Sequence, residues 1–280
     1  MGIVKDLVRR TAPMWLRHAV ARRRTQLRKR RLFGALTPLV PEVADMFEGP
    51  GSYEEFKANG EEFLAIYQRV AGLTPNERFL DVGSGIGRKT IPLTQFLRSD
   101  AVYEGIDVNP AGIEWCRRKI TPRFPNFRFQ RIDVRNDLYN PTGTYEASEY
   151  RFPFPDESFT FVMLGSVFTH MLPRDVEHYL AEIHRVLAPG QRCLISYFLL
   201  NDESRRLIAS NASTLAFHLD RDDYAPVNPA RPEDAIALPE PFVKSAYERL
   251  GFNVARIEYG SWCGRAQYLS YQDLVLAVRQ

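Results

Sequence analysis

Cysteine is scarce in this 280-residue chain. The three present, Cys116, Cys193 and Cys263, lie far apart and form no C-x-x-C pair, so neither a disulfide framework nor a zinc site is expected. A reducing cytoplasmic setting fits that usage. Long apolar runs are missing too: no stretch approaches the roughly eighteen uninterrupted apolar residues of a membrane-spanning helix. A secretory signal is not expected, because no apolar core of about 7 to 15 residues follows the first charges. Serine is absent from residues 1–31, which disfavours an organellar transit peptide, and Asp6 sits where myristoylation at Gly2 requires Ser or Thr. Internal repeats are also lacking, as are low-complexity tracts outside the basic N-terminal segment.

Acid is missing only locally. Of the 37 Lys and Arg, eleven fall within residues 1–31, against one of the 34 acids, Asp6. The rest of the chain is therefore net negative. In the basic segment apolar residues recur at helical spacing (Ile3 and Leu7, Val4 and Val8, Trp15 and Ala19, Leu16 and Val20), and Pro13 divides it. A basic amphipathic helix with an aromatic on its apolar side suits an anionic membrane surface. Contact with nucleic-acid phosphates and a packed helix with a charged face are the alternatives. The expected organisation is an arm over residues 1–49 and one domain over 50–280.

From residue 50 onward helical and strand patterns alternate. β-Rich runs fall at 78–82, 102–107, 127–133, 159–164 and 192–199, with helical patterns at 88–97, 111–120 and 174–187. Such alternation implies a parallel sheet with helices on both faces. A helix at 241–250 and strands at 253–259 and 272–278 close the chain, and 201–240 reads as an irregular insertion rich in Pro and Asp turns.

The stretch "RFLDVGSGIGRKT" places Gly83, Gly85 and Gly87 behind Asp81, where the first strand turns into a helix. In open α/β folds ligands bind at that carboxyl edge, and glycines let a ligand approach the backbone. The dinucleotide fingerprint is G-x-G-x-x-G. Here the spacing is D-x-G-x-G-x-G, which disfavours a dehydrogenase. Asp107 and Asp133 close the second and third strands, so three acids converge on one edge; as strand-end turn formers they would have no ligand role.

This spacing resembles motif I of the class I S-adenosylmethionine-dependent methyltransferases. "YEGIDVNP", "FRFQRIDV", "FPFPDESFTFVMLGSVFTHML" and "LAEIHRVLAPGQRCLISY" follow in the order that family has, so the resemblance covers about residues 62–200. It implies a Rossmann-like fold with a seven-stranded, mostly parallel sheet and S-adenosylmethionine as cofactor. The loop of Asp81, Gly83, Ser84, Gly85 and Gly87 would wrap the methionine part, and Asp107 would accept the ribose hydroxyls. Val108 and Asn109 would line the adenine side, Asp133 and the backbone of Val134 would meet the adenine amino group, and Gly165 would follow the fourth strand at the site. In "GSVFTHM" the resemblance makes His170 the candidate general base, while Thr169 replaces the first member of the family's histidine pair; a structural role is the alternative.

For the acceptor, Tyr224 or Asp223 of the 201–240 insertion, as a substrate lid, and Trp262 and Arg265 of "YGSWCGR" are candidates; surface turns and core filling are the alternatives. The Asn/Asp-Pro-Pro-aromatic signature, a Pro-Cys pair and a paired-glutamate loop are all missing, which disfavours DNA amino, cytosine-carbon and arginine methylation. A small-molecule, sugar or lipid-linked glycan acceptor remains, with oxygen the favoured atom, and the arm would dock the enzyme at a membrane carrying it. RNA methylation is the runner-up, although nucleic acid is disfavoured as a partner. A non-catalytic adaptor that binds the cofactor is the reading from a different class.

Overall fold

In the computed structural model residues 14–47, 49 and 51–280 are described, those at 15–17 by backbone only. Helix α1 (Met14–Phe33) leads through two short 3-10 turns to α2 (Tyr53–Arg69). There follow β1 (Arg78–Val82), α3 (Thr90–Phe96), β2 (Val102–Asp107), α4 (Pro110–Lys119), β3 (Phe127–Arg131), β4 (Phe159–Leu164), α5 (Pro173–Val186) and β5 (Leu187–Tyr197). The last third holds β6 (Leu199–Leu200), α6 (Asp202–Ala209), β7 (Ala225–Pro226), β8 (Ile236–Pro239), α7 (Glu240–Arg249), β9 (Phe252–Glu258) and β10 (Asp273–Arg279). No helix among the described residues is long and apolar enough to cross a membrane.

Seven strands form one sheet in the order β3-β2-β1-β4-β5-β10-β9, in which β10 runs antiparallel to both of its neighbours. Because β1 lies between β2 and β4, the chain leaves it towards opposite sides, and the crevice at that switch point is where such sheets take ligands. Parallel strands need both faces covered. One face packs on α5 and α7 through Val162, Leu164, Ile183 and Tyr247; the other packs on α2, α3 and α4 through Phe63, Leu93 and Ile113. On that second face one aromatic row crosses four strands. Phe127, Tyr103, Phe79 and Phe161 are register partners, with ring centroids 4.8, 5.4 and 4.9 Å apart. Cross-strand aromatic pairs of this kind fix register as well as bury area.

Local chemistry sets the helix starts. Ser52 Oγ accepts from the Glu55 amide, Asn109 Oδ1 from the Ala111 amide ahead of Pro110, and Asn201 and Ser204 form a reciprocal capping box. Caps of this type contribute about 1 kcal/mol each.

Three expectations are corrected. The 1–49 arm is not separate from the domain: Leu39 and Val40 are buried in the core, Phe33 packs edge-on against Tyr53 and Phe56, and Lys29 is buried beside Glu42. Apolar residues at 32–47 cover α2 and α4, so the charge run hid a packed segment. Nor is α1 striped. Arg22, Arg23 and Arg24 lie on three sides, and Ala19 and Val20 are exposed; residues 1–13, with Ile3, Val4, Leu7 and Val8, lie outside those described, as do the side chains of Trp15 and Leu16. Finally, the 201–240 insertion is ordered. It contains α6, and its strands β7 and β8 join β6 in a second sheet, β6-β8-β7, over Phe198, Phe217 and Trp262.

Candidate active site

A cleft of about 400 Å³ opens at the carboxyl ends of β1 to β4. Gly83, Ser84, Asp107, Val108, Asn109, Val134, Gly165 and His170 line it, together with Phe47, Arg88, Lys89, Ser166, Glu233 and Gln272. Gly83, Gly85 and Gly87 all take positive φ. At Gly83 the loop is tight as well as left-handed, because a Cβ there would clash with Val167 Cγ2. The Gly85 amide donates to Asp107 Oδ2 at 2.8 Å, and the Asn109 amide to Oδ1 at 2.7 Å. One carboxylate thus ties the glycine loop to the end of β2 and faces the cleft.

Asp81 lies behind the loop, 1% exposed. Its Oδ2 accepts from Tyr103 at 2.6 Å, whose hydroxyl also pairs with Thr90 Oγ1 at 2.7 Å, and its Oδ1 has no partner. Burial pushes the Asp81 carboxyl up to about 6, against the Tyr103 hydrogen bond and the nearby Lys89 ammonium. Burial raises Asp107 too, opposed by the Asn109 and Gly85 amides. Lys89, itself buried, stands beside Gly165 and over the Phe63 ring at 4.5 Å. Ser84 Oγ is a second buried atom without a partner. Two orphaned oxygens under a bare glycine loop are costly unless a polar ligand satisfies them. A ligand with an amino group, such as the methionine part of S-adenosylmethionine, fits that floor.

After β4 the chain turns through Ser166 at φ 64°, a left-handed position rare for a residue with a side chain. The Ser166 amide donates to Ser196 Oγ at 2.7 Å and its hydroxyl to Gln272 Oε1 at 3.0 Å. That clamp directs the following 3-10 turn, Phe168–His170, into the cleft, where His170 Nδ1 meets the Glu233 carbonyl at 2.9 Å. Strained backbone held by such contacts is a feature of functional sites.

Five expected site residues stand elsewhere. Asp133 points out of the cleft and binds Thr144 Oγ1 at 2.6 Å and Asn140 Nδ2 at 3.3 Å. In extended chain alternate side chains face opposite ways, so Ile132 and Val134 line the cleft in its place. Tyr224 packs in the main core with the Arg221 guanidinium 4.4 Å from its ring. Asp223 is turned to Arg221 at the surface. Trp262 is fully buried between Phe198 and Phe217, its indole N–H on Asp273 Oδ2 at 2.7 Å. Arg265 is buried between Asp273 and Glu203. Four of its five donors and the Trp262 donor are committed within the fold, and both side chains are buried away from the cleft.

Lys89, Ser166, Gln272, Glu233 and Phe47 went unread in the sequence. Lys89 is adjacent to the glycine loop, which is a usable signal; the others reach the cleft from distant elements.

Residues 80–195 match the methyltransferase domain family. The chain is 29% identical over 141 residues to the demethylmenaquinone methyltransferase of Tropheryma whipplei (strain Twist), covering 50% of this chain and 48% of that one. It is 32% identical over 145 residues to the fatty-acid O-methyltransferase of Mycolicibacterium smegmatis, covering 51% and 44%. It thus spans about half the length of the curated relatives it matches. Among solved structures, the PH0226 protein of Pyrococcus horikoshii OT3 superposes with TM-score 0.56 at 15% identity, covering 82% of this chain and 93% of that one. Magnesium protoporphyrin IX methyltransferase of Synechocystis PCC 6803, with bound S-adenosylhomocysteine, gives 0.52 at 14%, covering 85% and 92%. At these identities the likeness is one of fold.

Proposed function

We propose that this chain, which carries a class I S-adenosylmethionine-dependent methyltransferase domain, transfers a methyl group to an oxygen of a small apolar or lipid-linked acceptor. The observation that carries this reading is the pairing of Asp107 with the glycine loop across the cleft floor, beside the unpartnered oxygens of Asp81 and Ser84. When bound, the cofactor supplies a methyl group on a sulfonium, whose leaving group is neutral. Asp107 would hold the ribose hydroxyls, since each of its oxygens keeps acceptor capacity beyond the amide it receives. Asp81 would take the amino group and Gly83 the close backbone approach. His170 would accept the acceptor's hydroxyl proton as the oxygen attacks. The relatives' names support small-molecule and lipid acceptors, and the fatty-acid enzyme supports oxygen.

The same reading places the enzyme at a membrane. Arg22, Arg23, Arg24 and Arg30 of α1 are exposed, and Lys29 and Arg30 share a groove with Trp115 and Lys119 of α4. Arg118 and Lys119 lie 5.8 and 5.4 Å from the Trp115 ring. A basic face carrying a tryptophan suits anionic headgroups, each Lys or Arg adding about 1 kcal/mol. Calorimetric titration with S-adenosylmethionine and with NAD tests the cofactor. Saturable binding of the former alone is expected, weakened roughly tenfold, about 1.4 kcal/mol, by Asp107→Ala. Unchanged affinity in that variant would remove the assignment.

A further inference from the structure

Of residues 201–240, Glu233 lines the cleft, and it does so from the tip of a hairpin. Strands β7 and β8 pair Ala225 with Ala237 and Pro226 with Ile236, and the Val227 amide extends the ladder to the Ala235 carbonyl at 2.9 Å. The tip, residues 228–234, is closed on itself. Asn228 Nδ2 and Arg231 Nη2 both reach Asp234 Oδ2 at 3.0 Å, and the Arg231 amide donates to the Asn228 carbonyl at 3.0 Å. This stitched turn sets the Glu233 carbonyl 2.9 Å from His170 Nδ1.

A carbonyl oxygen can only accept, so Nδ1 must carry the hydrogen. In a neutral imidazole the remaining lone pair is then on Nε2. We propose that the β7–β8 hairpin tip is a positioning element, whose Glu233 carbonyl fixes His170 in the Nδ1–H tautomer and leaves Nε2 as its proton-accepting atom. A base oriented by a third group is the general logic of hydrogen-bonded catalytic chains. Here the third group is a main-chain oxygen delivered by an insertion far along the chain. The catalytic meaning of the tautomer rests on the reading of His170 as the base, but the tautomer itself does not.

The test is ¹⁵N NMR of the full chain with labelled histidine, at a pH where the ring is neutral. The unaltered protein should show the Nδ1–H pattern for His170. Replacing residues 228–234 by Asn-Gly, a two-residue turn that the β7–β8 ladder can carry, should move the ring towards Nε2–H. Turnover should fall on the order of ten- to a hundredfold. Asp234→Ala, which unties the tip without shortening it, should shift the same signals part of the way. Glu233→Ala keeps the carbonyl and should keep Nδ1–H. An Nε2–H ring in the unaltered protein would overturn the proposal whether or not the shortened variant folds, and so would Nδ1–H retained after the tip is removed. Full turnover by His170→Ala would instead overturn the base reading and leave the tautomer assignment standing.

Discussion

Asp81 shows what a single buried carboxylate does to binding. Its folded, unliganded pKa stands at about 6, above the ordinary 3.8, because burial disfavours the charge. The group therefore favours the folded state below the ordinary value, and that contribution is lost as pH rises through 6. Cofactor binding should run the other way, since the ionised carboxylate holds an ammonium group far more strongly than the neutral acid does. Affinity is expected to be about tenfold weaker at pH 5 than at pH 7, and Asp81→Asn should flatten the profile. Calorimetric titration at half-unit steps checks this. Asp273 is also pushed up to about 6 by burial, and burial raises Asp107 at the cleft as well, so it is the comparison with Asp81→Asn that isolates the Asp81 contribution. The roles expected for Asp81, Gly83 and Asp107 follow from residues that sit on strand ends and their loop. Asp133 was misread because alternation along two residues decides which way a side chain faces, and that depends on where β3 stops.

Among the elements, β10 ties the second sheet to the first through one side chain. Its first residue, Asp273, receives the amides of Leu199 and Gly260, the Trp262 indole and the Arg265 guanidinium, at 2.7, 2.7, 2.7 and 3.0 Å. This cluster anchors "YGSWCGR" and the start of β6 against the main sheet. Asp273→Ala should lower stability by about 3 to 5 kcal/mol, because it leaves the buried Arg265 with only the half-exposed Glu203 carboxylate and orphans the Leu199 and Gly260 amides and the Trp262 indole. Urea unfolding measures the loss, and a change under about 1 kcal/mol would mean that the cluster is dispensable. Strands β1 and β4 match their expected bounds, since alternation and turn residues define them locally. Strand β5 begins at Leu187, five residues earlier than expected, because Phe159 pairs with Leu187 across an irregular register that no local pattern announces.

At the scale of the whole molecule the division lies between a closed domain and an exposed basic helix. Removing residues 1–25 should leave the unfolding midpoint and cofactor affinity unchanged, because among the described residues the covering contacts run from Gln26 and Lys29 to Glu42 and from Arg28 to Glu54. The same truncation should weaken binding to anionic phospholipid vesicles by tenfold or more, and added salt should weaken the full chain in parallel. Equal partition of both chains in a vesicle co-sedimentation assay would remove the membrane reading. Leu39→Ala, by contrast, should cost about 2 to 5 kcal/mol, since Leu39 is core rather than arm.

The sequence by itself determined the α/β alternation, the place of the glycine loop and the positions of Asp81 and Asp107 at the ends of β1 and β2, because each is written in periodicity and in residues a few positions apart. Tertiary structure alone decided that Gln272 joins the cleft, that Trp262 and Arg265 are clamped to Asp273, and that residues 32–47 cover the core. It alone brought Glu233 to His170, 63 residues apart in the chain. These outcomes depend on which distant surfaces meet when the apolar faces close, and no local pattern encodes that meeting.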